Sequence, residues 1–282
     1  MSPRLAFTIV ATAGMLACTG AAWSQVRVPG ARYDADVPNE KPSPAPKRDL
    51  SGIWEPARGA SDAIQADGAK NMPDTGRPEH QLPFTPEGRQ AVLANKPAWG
   101  PRAVPSAMSN DPQPTCEPQG FPRVLLHNYR TAQIVQTPKQ VLVLYQFNRK
   151  WRNIWTDGRS LPKVDDVLEP RWWGYSVGRW EDDDTFVAES VGMDDRTWLD
   201  NVGRPHSLQA RVTERYVRRD LNHIDVTVTI DDPVYYTTPW VALDRLPLRR
   251  QSDDLDIREM ECSPSEFARY SKEFAEPAAG VR

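Results

Sequence analysis

Beyond Pro122 the chain alternates apolar and polar residues with a period of two, in short runs separated by turn residues. That is the pattern of consecutive antiparallel strands. Residues 133–136 and 141–147 flank Thr137-Pro138-Lys139-Gln140, and 151–156 follow Asn148-Arg149-Lys150. Residues 175–180 and 185–191 flank an acidic turn at 181–184, and 209–218 and 223–230 flank Asp220-Leu221-Asn222. Residues 238–243 and 255–260 follow, and Asp49-Leu50-Ser51-Gly52-Ile53-Trp54 supplies a first strand ahead of the run. No helical pattern intervenes. Ten short strands in about 210 residues predict an all-β antiparallel meander closed into a barrel, since closure removes unpaired edges.

The chain ahead of Pro122 reads differently. Thr85-Pro86-Glu87 is a helix start: Thr85 accepts a backbone N–H, Pro86 suits the first turn, and the helix runs to about Asn95. Seven prolines between Pro97 and Pro122 exclude regular structure there, and residues 55–82 are polar and irregular. Four prolines between Val37 and Lys47 mark an extended tether. The start has Arg4, an apolar run from Leu5 to Cys18 and small residues up to Ser24, the form of a secretory signal peptide. The expected organisation is therefore a signal peptide at 1–24, a Pro-rich tether at 25–48, and a barrel domain at 49–282 with an insertion at about 55–122. Leu16-Ala17-Cys18 also reads as a lipoprotein processing site, with a lipid anchor on Cys18.

Alternation also says which polar groups point inward. In 223–230 the even positions Ile224, Val226, Val228 and Ile230 are apolar, which turns His223 outward. In 209–218 the apolar face Ala210, Val212 and Tyr216 carries Glu214. Glu189 lies likewise between Val187 and Val191, and Arg179 shares a face with Val177. A buried carboxylate needs a partner. Arg179 is the expected partner of Glu189 or Glu214, either as a core bridge or as a polar site inside the barrel.

Composition narrows the function. The 282 residues hold 35 Lys+Arg against 38 Asp+Glu, a net charge of -3, and give no basic excess for nucleic acid. A mean hydropathy of -0.62 leaves no segment past the leader with the roughly 20 apolar residues of a membrane span. Cleavage after Ser24 leaves Cys116 and Cys262, which in an oxidising compartment are expected to pair. Closing that 147-residue loop restricts the unfolded chain by about 4–5 kcal/mol on chain-entropy grounds.

Two resemblances bear on the fold. Gly52-Ile53-Trp54 at the first strand is similar to the Gly-x-Trp signature that opens lipocalin-type barrels, which implies a calycin-like architecture. The stretch from Cys116 to Cys262 resembles a group of exported bacterial proteins of unassigned function. The matching segments are Trp155-Thr156-Asp157-Gly158-Arg159, Gly174-Tyr175-Ser176-Val177-Gly178-Arg179-Trp180-Glu181, Arg196-Thr197-Trp198-Leu199-Asp200 with Gly203-Arg204-Pro205-His206-Ser207, and Asp231-Asp232-Pro233 with Tyr236-Thr237-Thr238-Pro239-Trp240. This resemblance implies export and a β-fold, and brings no reaction with it.

The chemistry is read from the residues. His80, His127, His206 and His223 have no i, i+2 or i+4 spacing, and Asp182-Asp183-Asp184 reads as a solvated turn, so no metal is expected. Nucleotide and dinucleotide fingerprints and nucleophile elbows are missing, so no cofactor is expected. The sixteen-residue loop 192–207 makes His206 a candidate acid/base group oriented by Asp200. Glu214 is the inward carboxylate of the same expected site. Arg159 and Arg179 are candidates for an anionic group, and Trp172, Trp173, Trp198 and Tyr236 for an aromatic wall. Two functions fit: an exported enzyme doing lyase, hydratase or isomerase chemistry on a small, partly apolar or aromatic substrate, or an exported binding protein holding an apolar ligand. Convergence of His206, Asp200 and the inward carboxylates on one cavity separates them.

Overall fold

The computed structural model describes residues 41–57, 68–69, 72–73, 82–127 and 129–281. The expected signal peptide, Cys18, His80 and most of the expected tether lie outside them. Nine strands form a closed barrel: β1 (Gly52–Pro56), β2 (Ala132–Gln136), β3 (Gln140–Tyr145), β4 (Trp151–Trp155), β5 (Tyr175–Trp180), β6 (Thr185–Val191), β7 (Arg211–Arg218), β8 (His223–Asp231) and β9 (Trp240–Arg250). Each strand from β2 to β9 pairs with the next, and β1 closes the ring between β9 and β2.

The count of nine has a geometric consequence. Walking once around a closed ring of strands, each antiparallel pair reverses direction, so an odd ring needs a parallel pair. It falls between β4 and β5, which touch at Trp155 and Val177. Every other pair in the barrel is antiparallel. A parallel pair needs a connection that returns along the barrel. Residues 156–174 make that crossover and run over the β4–β5 seam.

Two expected strands are corrected. Residues 255–260 form no strand, only a bridge from Met260 to Phe147. The run expected at 238–243 extends instead to Arg250 as β9. Register shifts between Val226 and Val228 and between Val228 and Thr229 mark extra residues in β9, with Arg245 at a φ of 51° and its N–H on Thr227 Oγ1 at 3.1 Å. Bulges let the strand continue through Asp244-Arg245-Leu246-Pro247, where the alternation breaks.

The interior holds Ile134, Val143, Ile154, Phe186, Val212, Tyr216, Val226, Val228 and Leu246 in one apolar cluster. One end of the barrel, where β1 ends and β2 begins, is covered by the insertion and by the loops after β6 and β8. Helix α1 (Pro86–Ala94) carries the predicted cap, Thr85 Oγ1 accepting from Gly88 N at 3.0 Å. It docks on the loop after β8, where a Cβ on Gly88 would stand 2.1 Å from Tyr235 O. The helical turn α2 (Arg123–Leu126) is wholly buried. Cys116 and Cys262 are bonded, with Cα atoms 5.4 Å apart, and tie the insertion to the C-terminal segment. At the other end the last tether residues are docked, Leu221 N donating to Ser43 O at 2.9 Å and Lys47 pairing with Asp183 at 2.7 Å. Among the described residues no helix is long and apolar enough to cross a membrane.

Candidate functional site: the seam cleft

β4 and β5 touch near Trp155 and Val177, and the crossover returns over them, leaving a cleft of about 450 Å³. Its walls carry Trp151, Trp155 and Trp173, with Arg159 and Arg171 from the crossover and Arg152 and Ser176 from the two strands. Gly174 makes the turn into β5 at a φ of +61°; a Cβ there would lie 2.8 Å from Val191 O. Among the described residues lining the cleft there is no carboxylate.

The arginines are held flat against rings. The Arg159 guanidinium carbon lies 3.7 Å from the Trp155 ring centroid, and that of Arg171 lies 4.1 Å from the Tyr175 centroid. Asp157 binds Arg159 Nη2 at 2.6 Å. That hydrogen bond holds the Asp157 carboxyl below its ordinary range. Arg171 meets no carboxylate among the described residues.

Arg152 links the cleft to the barrel interior. Its Nε donates to Ser176 Oγ at 3.0 Å, and its Nη2 donates to Ser190 Oγ at 2.7 Å and to Glu214 Oε2 at 2.5 Å. Tyr216 Oη donates to the other carboxylate oxygen at 2.6 Å. The guanidinium lies over the Phe121 ring at 3.6 Å, a contact brought in by the insertion. Burial alone would press Arg152 toward neutrality, and the Glu214 charge more than reverses this. Nη1 of Arg152 and Oη of the neighbouring Tyr145 find no hydrogen-bond partner beyond each other.

Glu214 is fully buried on the inward face, as its alternation implies, but its partner is Arg152 and not Arg179. Arg179 pairs with Glu189 at 3.0 Å on the outer face, where Arg211 also meets Glu189. The inward face of β5 and β6 is instead Ser176, Gly178, Phe186, Ala188 and Ser190. Val191 is buried from outside, because the crossover packs there: Arg171 N donates to Gly192 O at 2.9 Å. Covered outer valines imitate a core face in the sequence.

The expected dyad does not assemble. Asp200 Oδ1 accepts from Val202 N and Arg204 N, both at 3.1 Å, and Oδ2 pairs with Arg204 Nη1. His206 Nε2 instead meets Thr197 Oγ1 at 2.9 Å, and burial lowers the imidazole pKa. Asp232 secures the same loop, accepting from Ser207 N and Oγ at 2.7 Å. Trp198 is buried and bridged to Pro205, and Tyr236 is buried with its hydroxyl on Pro205 O at 2.8 Å. Trp172 lies under Arg196, 4.3 Å away, outside the cleft. Of the expected ligand residues, Arg159 and Trp173 come together in the cleft. Arg152, Arg171 and Tyr145 escaped the sequence reading; Arg152 was findable, as an arginine on the face of Ile154.

No protein family, curated protein or solved structure matches this chain. Among the described residues no group of three or more His, Cys, Asp or Glu is gathered to hold a metal ion.

Proposed function

We propose that this chain is an exported, periplasmic or secreted binding protein for a small aromatic anion, held in the seam cleft. The observation that carries the reading is the lining: three arginines among three tryptophans, with no carboxylate among the described lining residues. Rings take up the flat faces of a planar ligand. Guanidinium groups take its anionic group in bidentate fashion, and stacking has already fixed two of them in place. A volume of about 450 Å³ falls in the range of small-molecule sites. Export is supported by the leader-like residues 1–24 and the paired cysteines. A binding role is preferred to acid/base catalysis because His206 and Asp200 are spent on their own loop and both Glu214 oxygens are engaged.

Calorimetric titration of the chain lacking residues 1–24 with benzoate, against cyclohexylmethanol as an uncharged control, tests the reading. Saturable one-to-one benzoate binding that weakens with salt and is lost in an Arg159→Ala/Arg171→Ala double variant is expected. No benzoate binding, or equal binding by the double variant, would overturn it.

A further inference from the structure

We propose that the inner end of the cleft receives a neutral carbonyl oxygen of the ligand, held by Arg152 Nη1 and Tyr145 Oη. The inference rests on the cleft being a site for aromatic anions and names the far end of that ligand. Ser176, Ser190 and Glu214 take Nε and Nη2 of Arg152, and the Phe121 ring takes its face. Nη1 and Tyr145 Oη find no partner beyond each other, which leaves a hydrogen on each unused, although Arg152 and Tyr145 are only 1% and 4% exposed. Native interiors rarely leave donors without acceptors, and a ligand oxygen is one way to satisfy them.

Both groups stand directly behind the cleft. Arg152 lines it, and the Tyr145 ring stacks on the cleft residue Trp173, with centroids 5.6 Å apart and planes 14° from parallel. Burial pushes the Tyr145 phenol up to about 12, with the Arg152 charge pulling partly the other way. The phenol therefore remains a proton donor at ordinary pH.

Charge decides the acceptor. Glu214, 2.5 Å from Nη2, already balances Arg152. A carboxylate at Nη1 would face Glu214 across a poorly screened interior, where like charges repel strongly. A carbonyl oxygen has two lone pairs, accepts from both donors and adds no charge. The anionic end then stays outside with Arg159 and Arg171. The ligand class is a planar aromatic acid with a carbonyl group opposite its acid group.

Titration with benzoate, 4-acetylbenzoate, 4-isopropylbenzoate and terephthalate tests this. 4-Acetylbenzoate should bind about tenfold tighter than 4-isopropylbenzoate, which has its shape without the oxygen. Terephthalate should bind more weakly than 4-acetylbenzoate. Tyr145→Phe removes a hydroxyl bonded to nothing but Arg152, so it should fold, and the preference for the acetyl compound should fall severalfold, with Arg152 Nη1 as the remaining donor. Equal binding of the acetyl and isopropyl compounds, a preference undiminished in Tyr145→Phe, or tighter binding of terephthalate would each overturn the inference while benzoate binding keeps the cleft reading. Loss of benzoate binding itself overturns both.

Discussion

The barrel interior and the loop after β6 each bury an arginine–carboxylate pair, Arg152 with Glu214 and Arg204 with Asp200. In the loop, the Asp200 oxygens are taken up by two backbone N–H groups and by the arginine four residues on. The result is a clasp that fixes one stretch of backbone. In the barrel, five side chains from four strands meet: Arg152, Ser176, Ser190, Glu214 and Tyr216. One guanidinium nitrogen, beside a cleft, finds no partner beyond Tyr145. A satisfied pair explains a fold, and a pair with a spare donor at an opening is what the proposed site is built on. Acidic, basic and aromatic richness alone did not distinguish them.

The largest expected effect breaks the barrel pair. Glu214→Ala leaves Arg152 buried without its counter-charge and should cost about 3–5 kcal/mol in urea unfolding. Glu214→Gln keeps an acceptor and should cost less. If both variants unfold like the parent, the barrel pair carries no more than a surface pair would, and the contrast fails.

Acid should act on the covering segments. Burial, reinforced by the Arg123 charge, depresses His127 from 6.5 to about 4. The unfolded chain therefore takes up this proton first. The stability held above pH 6.5 should drain away as pH falls toward 4, by about 3 kcal/mol in total. His206 is shifted in the same direction by burial. Urea midpoints between pH 7 and 4 should fall less steeply for His127→Gln than for the parent; parallel slopes would show that His127 takes its proton in the folded state.

The clasp comes next. Asp200→Asn turns an amide toward Arg204 Nη1 and should cost about 2 kcal/mol, with binding in the cleft unchanged. His206→Ala should likewise lower the melting temperature alone. Loss of ligand binding in a folded Asp200→Asn or His206→Ala protein would restore that loop to the site.

How much of this was legible in the sequence follows from what alternation reports. Period-two runs gave the strands, the cap at Thr85 gave α1, and Glu214 showed as an inward carboxylate. Alternation distinguishes covered faces from wet ones, not inside from outside, so Val191 beneath the crossover and Val187, buried on the same outer face, passed for core and carried Arg179 and Glu189 with them. Strand parity was hidden as well. Residues 255–260 read as a tenth strand, and an even ring needs no parallel pair. With nine, the parallel seam, its crossover and the cleft follow. The partner of Glu214 lies 62 residues away on β4, a distance that only the closed ring spans.

The smallest effect on stability should come with a clear effect on binding. Arg159 and Arg171 are exposed on the crossover, and their rings, Trp155 and Tyr175, keep their places in β4 and β5 without them. Exposed ion pairs add little to folding, so Arg159→Ala, although it releases Asp157, should leave the melting temperature within a degree or so of the parent. Binding should behave otherwise. Each arginine facing the anionic group should be worth about fivefold to tenfold in benzoate affinity at low salt. Because both are open to solvent, the difference between parent and variant should shrink as ionic strength rises past about 0.15 M, where the screening length is roughly 8 Å. Arg179→Ala supplies the control, since Arg179 is also exposed but pairs with Glu189 and is not among the residues lining the cleft. Equal loss of affinity in Arg159→Ala and Arg179→Ala would reduce the cleft to a general attraction of anions to surface charge. A loss confined to Arg159→Ala and Arg171→Ala would locate the anionic group at the seam.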